Sequence, residues 1–111
     1  MKDLINYDDF SKLDIRAGLV TAASAPEWSE KLIRYEMDFG DEIGKRVLFS
    51  GIRKWYNPEE LVGKMMPVIV NLAPKKMGEE ESQGMTVMVD GEEGAKLIFL
   101  PDDVIPGTIV R

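Results

Sequence analysis

Basic and aromatic side chains occur together in the middle of the sequence. Residues 53–56 read RKWY, Lys75 and Lys76 are adjacent, and Trp28 stands in a polar stretch. Single-stranded nucleic acids are bound by cations that follow the phosphates and by aromatic rings on which bases stack. These residue types predict a surface for a phosphate-bearing polymer. The alternative is that the lysines only solvate the protein and the tryptophans only cover its core.

The distribution of charge is that of one basic region in an acidic protein. The chain of 111 residues has a formal net charge of −6. Residues 43–78 hold seven bases and two acids, a net of +5, whereas residues 1–42 carry −5 and residues 79–111 carry −6. A basic face on an otherwise anionic surface would discourage indiscriminate attachment to nucleic acid.

Catalysis by the common nucleophiles and bases has no support in the sequence. The chain has no cysteine and no histidine, which excludes disulfides, zinc–thiolate sites, cysteine nucleophiles and histidine bases. Ser50 and Ser82 therefore lack the histidine that would activate a serine. The carboxylates of residues 79–81 are consecutive and do not point the same way in an extended loop. We expect a non-enzymatic protein with no catalytic residues, no metal ligands and no cofactor.

Alternation of apolar and polar residues predicts a series of short strands. In residues 32–39 alternate positions are apolar, as expected of a half-buried strand. Residues 45–50 form the returning strand of a hairpin, with a loop of about five residues. The other predicted strands are residues 14–20, with a bend or bulge at Gly18, and residues 66–72, 85–89 and 96–100.

One helix, about two turns long, is predicted between the third and fourth strands. Asn57 can cap its first turn, and Pro58 suits the first helical position. Glu60 stands where a capping box places an acid, and Gly63 ends the helix. A short helix between the third and fourth of five strands is the layout of an OB-fold. We predict an all-β chain in which residues 1–111 form a single five-stranded OB-fold barrel with a C-terminal extension.

OB-folds bind oligonucleotides on the face of their second and third strands and on the loops that follow the first and fourth strands. In this sequence those loops are residues 24–31, which contain Trp28, and residues 71–85, which contain Lys75 and Lys76. The basic and aromatic residues are thus predicted to share one surface.

Five segments of the chain resemble one protein family in the right order: FSKLDIRAG (10–18), DFGDEIGKRVLFSGI (38–52), YNPEELVGK (56–64), NLAPKKMGEEESQGM (71–85) and PDDVIPGT (101–108). The family is the tRNA-binding domain found as the C-terminal or beta-subunit module of methionyl-tRNA synthetases, as a free-standing tRNA-binding protein and in EMAPII-like proteins. Each segment alone is weak, but the combination is specific and covers nearly the whole chain. The resemblance implies an OB-fold that binds tRNA by structure more than by sequence, is not catalytic, and is dimeric when free-standing.

The resemblance also implies which residues contact tRNA. Carried over by motif position, the leading candidates are Asn71, Lys75, Lys76, Ser82, Gly84 and Met85. The second-rank candidates are Ser50, Arg53 and Lys31, and Trp28 joins them as the aromatic residue of the 24–31 loop. The lysines would meet phosphates, and Ser82 would offer a hydroxyl group. Gly84 would let the backbone come close to the RNA, and Met85 would present a polarizable surface, unless it belongs to the core.

Two alternatives to an accessory tRNA-binding domain stay open. One is a peptide-binding export chaperone, because CsaA-like chaperones resemble the segments 10–18 and 38–44. The sequences FSGI (49–52) and SQGM (82–85) favour the tRNA-binding branch over it. The other alternative is a domain that docks on a synthetase and contributes little RNA affinity.

The predicted partners are tRNA, a second copy of the chain and an aminoacyl-tRNA synthetase of the methionyl type. A homodimer follows from the resemblance and from the apolar residues 105–110, which the pattern does not place in the core of a monomer. No stretch approaches the 18 or more apolar residues of a membrane span. The N-terminal residues MKDL are too polar for a signal peptide, so the expected location is the cytoplasm, with no membrane contact.

Overall fold

The backbone forms nine short strands and three single-turn helices. A computed structural model describes all 111 residues. The strands are β1 (Ile15–Ser24), β2 (Ile33–Asp38), β3 (Lys45–Ser50), β4 (Met65–Ile69), β5 (Lys75–Met77), β6 (Glu80–Ser82), β7 (Met85–Thr86), β8 (Met88–Gly91) and β9 (Gly94–Leu97). The helices are α1 (Tyr7–Phe10), α2 (Gly40–Ile43) and α3 (Pro58–Leu61). None of these helices is long and apolar enough to cross a membrane.

Five of the strands form one antiparallel sheet in the order β3-β2-β1-β4-β7, which curls into a nearly closed barrel. β1 joins the two halves of the barrel, because residues 15–19 pair with β4 and residues 19–24 pair with β2. The register shifts between Val20 and Ala22, so the irregularity lies after Gly18 and not at it. The five-stranded OB-fold barrel predicted from the sequence is confirmed.

Gly18 is explained by close packing inside the barrel. A Cβ atom at this position would lie 2.6 Å from Cε1 of Phe39 and 2.7 Å from Cε of Met37. Both of these side chains are buried in the core. Only a residue without a side chain lets them pack across β1.

Hydrogen bonds from β3 to residues 82–83 close the barrel on the side where β3 has no neighbouring strand in the sheet. The backbone N–H of Phe49 donates to Oγ of Ser82 at 3.0 Å, and the N–H of Val47 donates to Oε1 of Gln83 at 3.0 Å. The N–H of Gln83 donates back to the carbonyl oxygen of Val47 at 2.9 Å. Polar side chains of residues 82–83 therefore supply partners that β3 would otherwise lack along this edge.

The inward face of β2 forms the middle of the core. Ile33, Tyr35 and Met37 are buried and alternate with half-buried polar residues, which confirms the predicted alternation. The hydroxyl of Tyr35 forms hydrogen bonds with Oγ of Ser50 at 2.6 Å and with Oγ1 of Thr86 at 2.5 Å. Burial raises the pKa of Tyr35 above its ordinary value. These three hydroxyl groups join β2, β3 and β7 inside the barrel.

The helix α3 lies between β3 and β4, where the sequence predicts it. The carboxylate of Glu60 accepts a hydrogen bond from the backbone N–H of Asn57 at 3.2 Å, and Leu61 is fully buried in the core. The helix has one turn instead of two, because Val62 adopts an extended conformation with ψ of 130°. The helices α1 and α2 are not predicted from the sequence, and α2 fills the turn of the β2–β3 hairpin.

The prediction from sequence is least accurate after β4. The 71–85 loop contains a small hairpin of β5 and β6. The strand predicted at 85–89 divides at Val87, because β7 pairs with β4 whereas β8 pairs with β9. The strand predicted at 96–100 is β9, which begins two residues earlier. Strands of two to four residues offer too few positions for alternation to reveal them.

The C-terminal extension lies along β1. The backbone N–H of Ala17 donates to the carbonyl oxygen of Thr108 at 2.9 Å, and the N–H of Gly107 donates to the carbonyl oxygen of Ala17 at 2.8 Å. The apolar residues 105–110 therefore have a place on the surface of a single chain. Ile105 is 75% exposed there.

Candidate nucleic-acid interface

The outer face of β2 and β3 lies between the 24–31 loop and the β5–β6 hairpin. Trp28 of the loop packs on Phe49 of β3, with ring centroids 5.9 Å apart and 49° between the ring planes. Trp28 also rests on the hairpin turn, because a Cβ atom at Gly78 would lie 3.0 Å from Cζ2 of the indole. The tryptophan is nevertheless 56% exposed. The fold thus holds one accessible aromatic ring between two loops.

A pair of charged side chains joins the hairpin to the sheet. Arg34 of β2 donates from Nε and Nη2 to the two carboxylate oxygens of Glu80 of β6, at 2.8 and 2.9 Å. These hydrogen bonds raise the pKa of Arg34 and lower the pKa of Glu80. Nη1 of Arg34 lies 3.6 Å from Glu36. No group of acidic side chains in the structure is arranged to hold a metal ion.

Lys75 and Lys76 lie on opposite faces of the hairpin, and both are exposed. In the antiparallel register Lys75 lies opposite Ser82, and Lys76 lies opposite Glu81, since successive side chains of a strand point to opposite faces. Neither ammonium group takes part in an ion pair within the chain. Two positive charges on the hairpin are therefore free for an anionic ligand.

Met85 lies on β7 beside this hairpin. It borders a groove of about 450 Å³ together with Phe49 and Lys75, and its side chain is 52% exposed. Met85 is therefore not a core residue. A second groove, of about 540 Å³, lies between Met85 and Ser50. The hydroxyl of Ser50 is half-buried and hydrogen-bonded to Tyr35, so the structure brings Lys75, Met85 and Ser50 to adjoining grooves.

Ser82 and Gly84 line the floor of the groove of about 450 Å³ that Met85 borders. Ser82 is 5% exposed, and its hydroxyl oxygen accepts the Phe49 N–H that closes the barrel. Gly84 has a φ of +142°, and a Cβ atom there would lie 2.9 Å from the carbonyl oxygen of Ile69. Closure of the barrel therefore explains why position 82 is a serine and position 84 is a glycine. A direct contact of either residue with RNA stays a prediction.

Asn71 is tied to the N-terminal segment. Its Oδ1 accepts a hydrogen bond from the backbone N–H of Asp14 at 2.8 Å, and its Nδ2 donates to the carbonyl oxygen of Lys12 at 2.6 Å. Asn71 borders a separate groove of about 430 Å³ with Phe10 and Ile109. The structure therefore does not bring the Asn71 amide to the grooves beside the hairpin.

Arg53 braces the 24–31 loop. Its Nη1 donates to the carbonyl oxygen of Ser29 and, at 3.4 Å, to that of Pro26. Its backbone N–H donates to the carbonyl oxygen of Lys31 at 3.1 Å. The guanidinium group therefore holds the loop that carries Trp28. The side chain of Lys31 is exposed and forms no ion pair.

Phe49, Arg34 and Glu80 belong to this interface but are not among the residues predicted from the sequence. Alternation within residues 45–50 places Phe49 on the same face as Lys45 and could have identified it. The contact between Arg34 and Glu80 joins residues that are 46 positions apart, and no local pattern indicates it.

A family model described as "Putative tRNA binding domain" matches residues 15–109. The chain belongs to this family. The matched residues include all of the barrel, the 24–31 loop and the β5–β6 hairpin. The family indicated by the sequence motifs is thereby confirmed.

Comparison with individual proteins places the tRNA-binding domain among synthetase relatives. It is 49% identical to a methionine–tRNA ligase of Xanthomonas campestris pv. campestris, over 97% of this chain and 16% of the ligase. It is 39% identical to the crystal structure of a MetRS-related protein from Pyrococcus horikoshii, with a TM-score of 0.92 over 99% of this chain and 100% of that one. The chaperone CsaA from Bacillus anthracis is 32% identical, with a TM-score of 0.86 over 98% of this chain and 100% of that one.

The chain therefore spans 16% of the length of the curated ligase that it matches. It matches the two smaller proteins over their whole length. It is a tRNA-binding domain homologous to part of methionine–tRNA ligases and to the MetRS-related protein.

Proposed function

We propose that this domain binds tRNA without catalysing a reaction, through the outer face of β2 and β3, the 24–31 loop and the β5–β6 hairpin. One observation carries the proposal: Lys75 and Lys76, which form no ion pair, are held on a hairpin whose turn packs against the exposed indole of Trp28. Lysines neutralise phosphates, and an exposed indole stacks on a base. The two kinds of contact that RNA requires therefore lie side by side.

The other residues indicated by the family motifs take one of two roles in this proposal. Met85, Ser50 and Lys31 border the grooves and touch the RNA. The residues that hold parts of the surface in place are Asn71, Arg53, Ser82 and Gly84. Asn71, Arg53 and Ser82 form hydrogen bonds to other parts of the protein, and Gly84 allows close packing against the carbonyl oxygen of Ile69.

The distribution of charge over the chain supports binding in one orientation. The chain as a whole carries −6, so most of its surface repels RNA. The hairpin also carries three glutamates, of which Glu81 lies opposite Lys76. The carboxylate of Glu80 is paired with the guanidinium of Arg34. This pairing reduces the repulsion that Glu80 would exert on a phosphate.

The domain acts, in this proposal, as an accessory to an aminoacyl-tRNA synthetase of the methionyl type in the cytoplasm. Its similarity to a methionine–tRNA ligase and to a MetRS-related protein supports this role. Whether linked to the synthetase or acting in trans as a homodimer, the domain raises the local concentration of tRNA at the enzyme. The gain from such an arrangement is an effective concentration and needs no new catalytic group.

The proposal is tested by measuring the binding of a labelled pool of tRNA at about 50 and 200 mM salt. The wild type is compared with the Lys75→Glu, Lys76→Glu double variant. Binding by the wild type should weaken with salt, and the double variant should bind at least ~10-fold more weakly. Its plot of log K against log salt should be shallower by about 1 to 2 units, because two phosphate contacts are lost.

A matched control carries the same change of charge elsewhere. Lys2 and Lys64 are exposed and lie outside the proposed surface, so the Lys2→Glu, Lys64→Glu variant should bind nearly as the wild type does. An equal loss in both variants would mean that only net charge matters. Absence of tRNA binding by the wild type at low salt would overturn the proposal.

Peptide binding is the second candidate function. The similarity to the chaperone CsaA favours it, as does the groove of about 540 Å³ between β3 and β7, which is lined mainly by apolar residues. A peptide held in an apolar groove should show little dependence on salt, in contrast to RNA. Binding of an unfolded polypeptide that is unchanged between the two salt concentrations, in a protein that does not bind tRNA, would favour this function.

A further inference from the structure

Trp55 is held as a fixed aromatic surface on another side of the 24–31 loop. It follows β3, and its backbone N–H donates to the carbonyl oxygen of Ile52 at 2.9 Å. One side of the indole packs on Gly94 at the turn of the β8–β9 hairpin, where a Cβ atom would clash with Cε2 of the ring. Gly94 also has a φ of +137°. Only glycine at position 94 allows the indole of Trp55 to pack this closely, so the ring rests directly on the backbone of the hairpin.

The remainder of the Trp55 ring is accessible and lies beside positive charge. The residue is 42% exposed, and Nζ of Lys54 lies 5.9 Å from the ring centroid. Lys31 borders the same groove of about 490 Å³, together with Gly51 and Glu30. Neither lysine forms an ion pair. The groove therefore combines two unpaired cations and one exposed indole with a single carboxylate.

We infer that this groove is a second nucleotide-binding site, occupied by an unpaired stretch of the same tRNA. A base stacks on the exposed side of Trp55, and the flanking phosphates are bound by Lys54 and Lys31. The Lys54 ammonium group, which now lies over the ring, moves to a phosphate when a base takes its place. The inference rests on the proposed function, because the tRNA must already bind to the hairpin.

The position of the groove supports a continuous path for the RNA. Lys31 belongs to the loop that carries Trp28, and Arg53 bonds to the backbone of that loop. The hydrogen bonds of Arg53 therefore tie the segment that carries Trp55 to the loop that carries Trp28. An RNA strand that stacks on Trp28 would meet a second basic and aromatic contact on the other side of the same loop.

The two sites are separated by fluorine NMR of the protein labelled with fluorotryptophan. The chain has two tryptophans, so the spectrum contains one resonance for each, assigned with the Trp55→Leu variant. Addition of tRNA should shift or broaden both resonances. The Trp28 resonance reports on the proposed function, and the Trp55 resonance reports on the second site.

Binding measurements with three variants give a second readout. Trp55→Leu should weaken tRNA binding at least ~5-fold, because stacking on a base is lost, whereas Trp55→Phe should retain most of the affinity. Lys54→Ser leaves the packing on Gly94 untouched, so it tests the site even if Trp55→Leu destabilises the fold. It should weaken binding by about 2- to 5-fold and reduce the salt dependence by about one phosphate contact.

The outcomes separate the two proposals. If tRNA perturbs the Trp28 resonance but leaves Trp55 unchanged, and Lys54→Ser binds as the wild type does, the second site is wrong and the proposed function stands. If neither resonance responds to a large excess of tRNA at low salt and no binding is measured, both proposals are wrong. A response of both resonances together with weaker binding by Lys54→Ser supports the second site.

Discussion

The carboxylate of Glu80 accepts two hydrogen bonds from the guanidinium group of Arg34, at 2.8 and 2.9 Å. Arg34 belongs to β2 of the barrel, whereas Glu80 begins β6 of the hairpin that carries Lys75 and Lys76. This fork-to-fork pair fixes distance and orientation together. It therefore sets where the two lysines stand relative to the sheet.

Removal of the Glu80 charge should loosen the hairpin. In Glu80→Gln, the amide hydrogens of residues 75–82 should exchange faster with solvent, because the bidentate pair no longer holds β6 to β2. The barrel amides of β1 and β4 should exchange as before. Glu79→Gln is the matched control, since Glu79 forms no ion pair. Equal exchange rates in the two variants would show that the pair does not position the hairpin.

The same contact should depend on pH in one direction. The hydrogen bonds from Arg34 hold the pKa of the Glu80 carboxyl group below its ordinary value. A depressed carboxyl pKa gives a contribution that is present above the unfolded value and is lost as pH falls through the folded value. The amide hydrogens of the hairpin should therefore be protected from exchange with solvent at neutral pH and lose this protection in acid.

An NMR titration of the Glu80 carboxyl group measures this directly. The midpoint should lie below the ordinary value in the wild type and return toward it in Arg34→Gln. An unchanged midpoint in that variant would show that Arg34 does not cause the shift.

Gly84 should be required for closure of the barrel. Its φ of +142° and the 2.9 Å between a Cβ atom and the carbonyl oxygen of Ile69 combine backbone strain with a clash against backbone. Gly84→Ala should lower the free energy of unfolding by about 2 to 3 kcal/mol in urea denaturation. Gly51→Ala is the control, because no atom lies within 4 Å of its Cβ position. Similar urea midpoints for the two variants would show that Gly84 is not required for closure of the barrel.

The hydroxyl of Tyr35 should stabilise the barrel from inside. Tyr35→Phe leaves the hydroxyl groups of Ser50 and Thr86 without the partner that joins them, so the free energy of unfolding should fall by about 1 to 3 kcal/mol. Tyr7→Phe is the control, because Tyr7 is 73% exposed and should change stability by less than about 0.5 kcal/mol. A Tyr35→Phe protein as stable as the wild type would show that the hydroxyl group is dispensable.

Local patterns in the sequence predicted the elements that they encode by themselves. Alternation from Ile33 to Met37 identified β2, because a strand with one buried face must alternate. The residues Asn57 and Glu60 identified the start of α3, because a helix end leaves backbone N–H groups that such side chains can satisfy. The pairs of short strands after β4 were not predicted, because a strand of two or three residues is too short to show an alternation of apolar and polar residues.

The sequence alone determined the five-stranded barrel, the lack of histidine and cysteine for catalysis, and the motifs of the tRNA-binding family, because each depends on residue type and spacing along the chain. Only the tertiary structure decided which motif residues hold the fold together and which are available to a ligand. It placed Ser82 and Gly84 in the closure of the barrel, left Lys75 and Lys76 free on the hairpin, and joined Arg34 to Glu80. Contacts between residues 46 positions apart depend on how the sheet curls, and no spacing along the chain encodes that curvature.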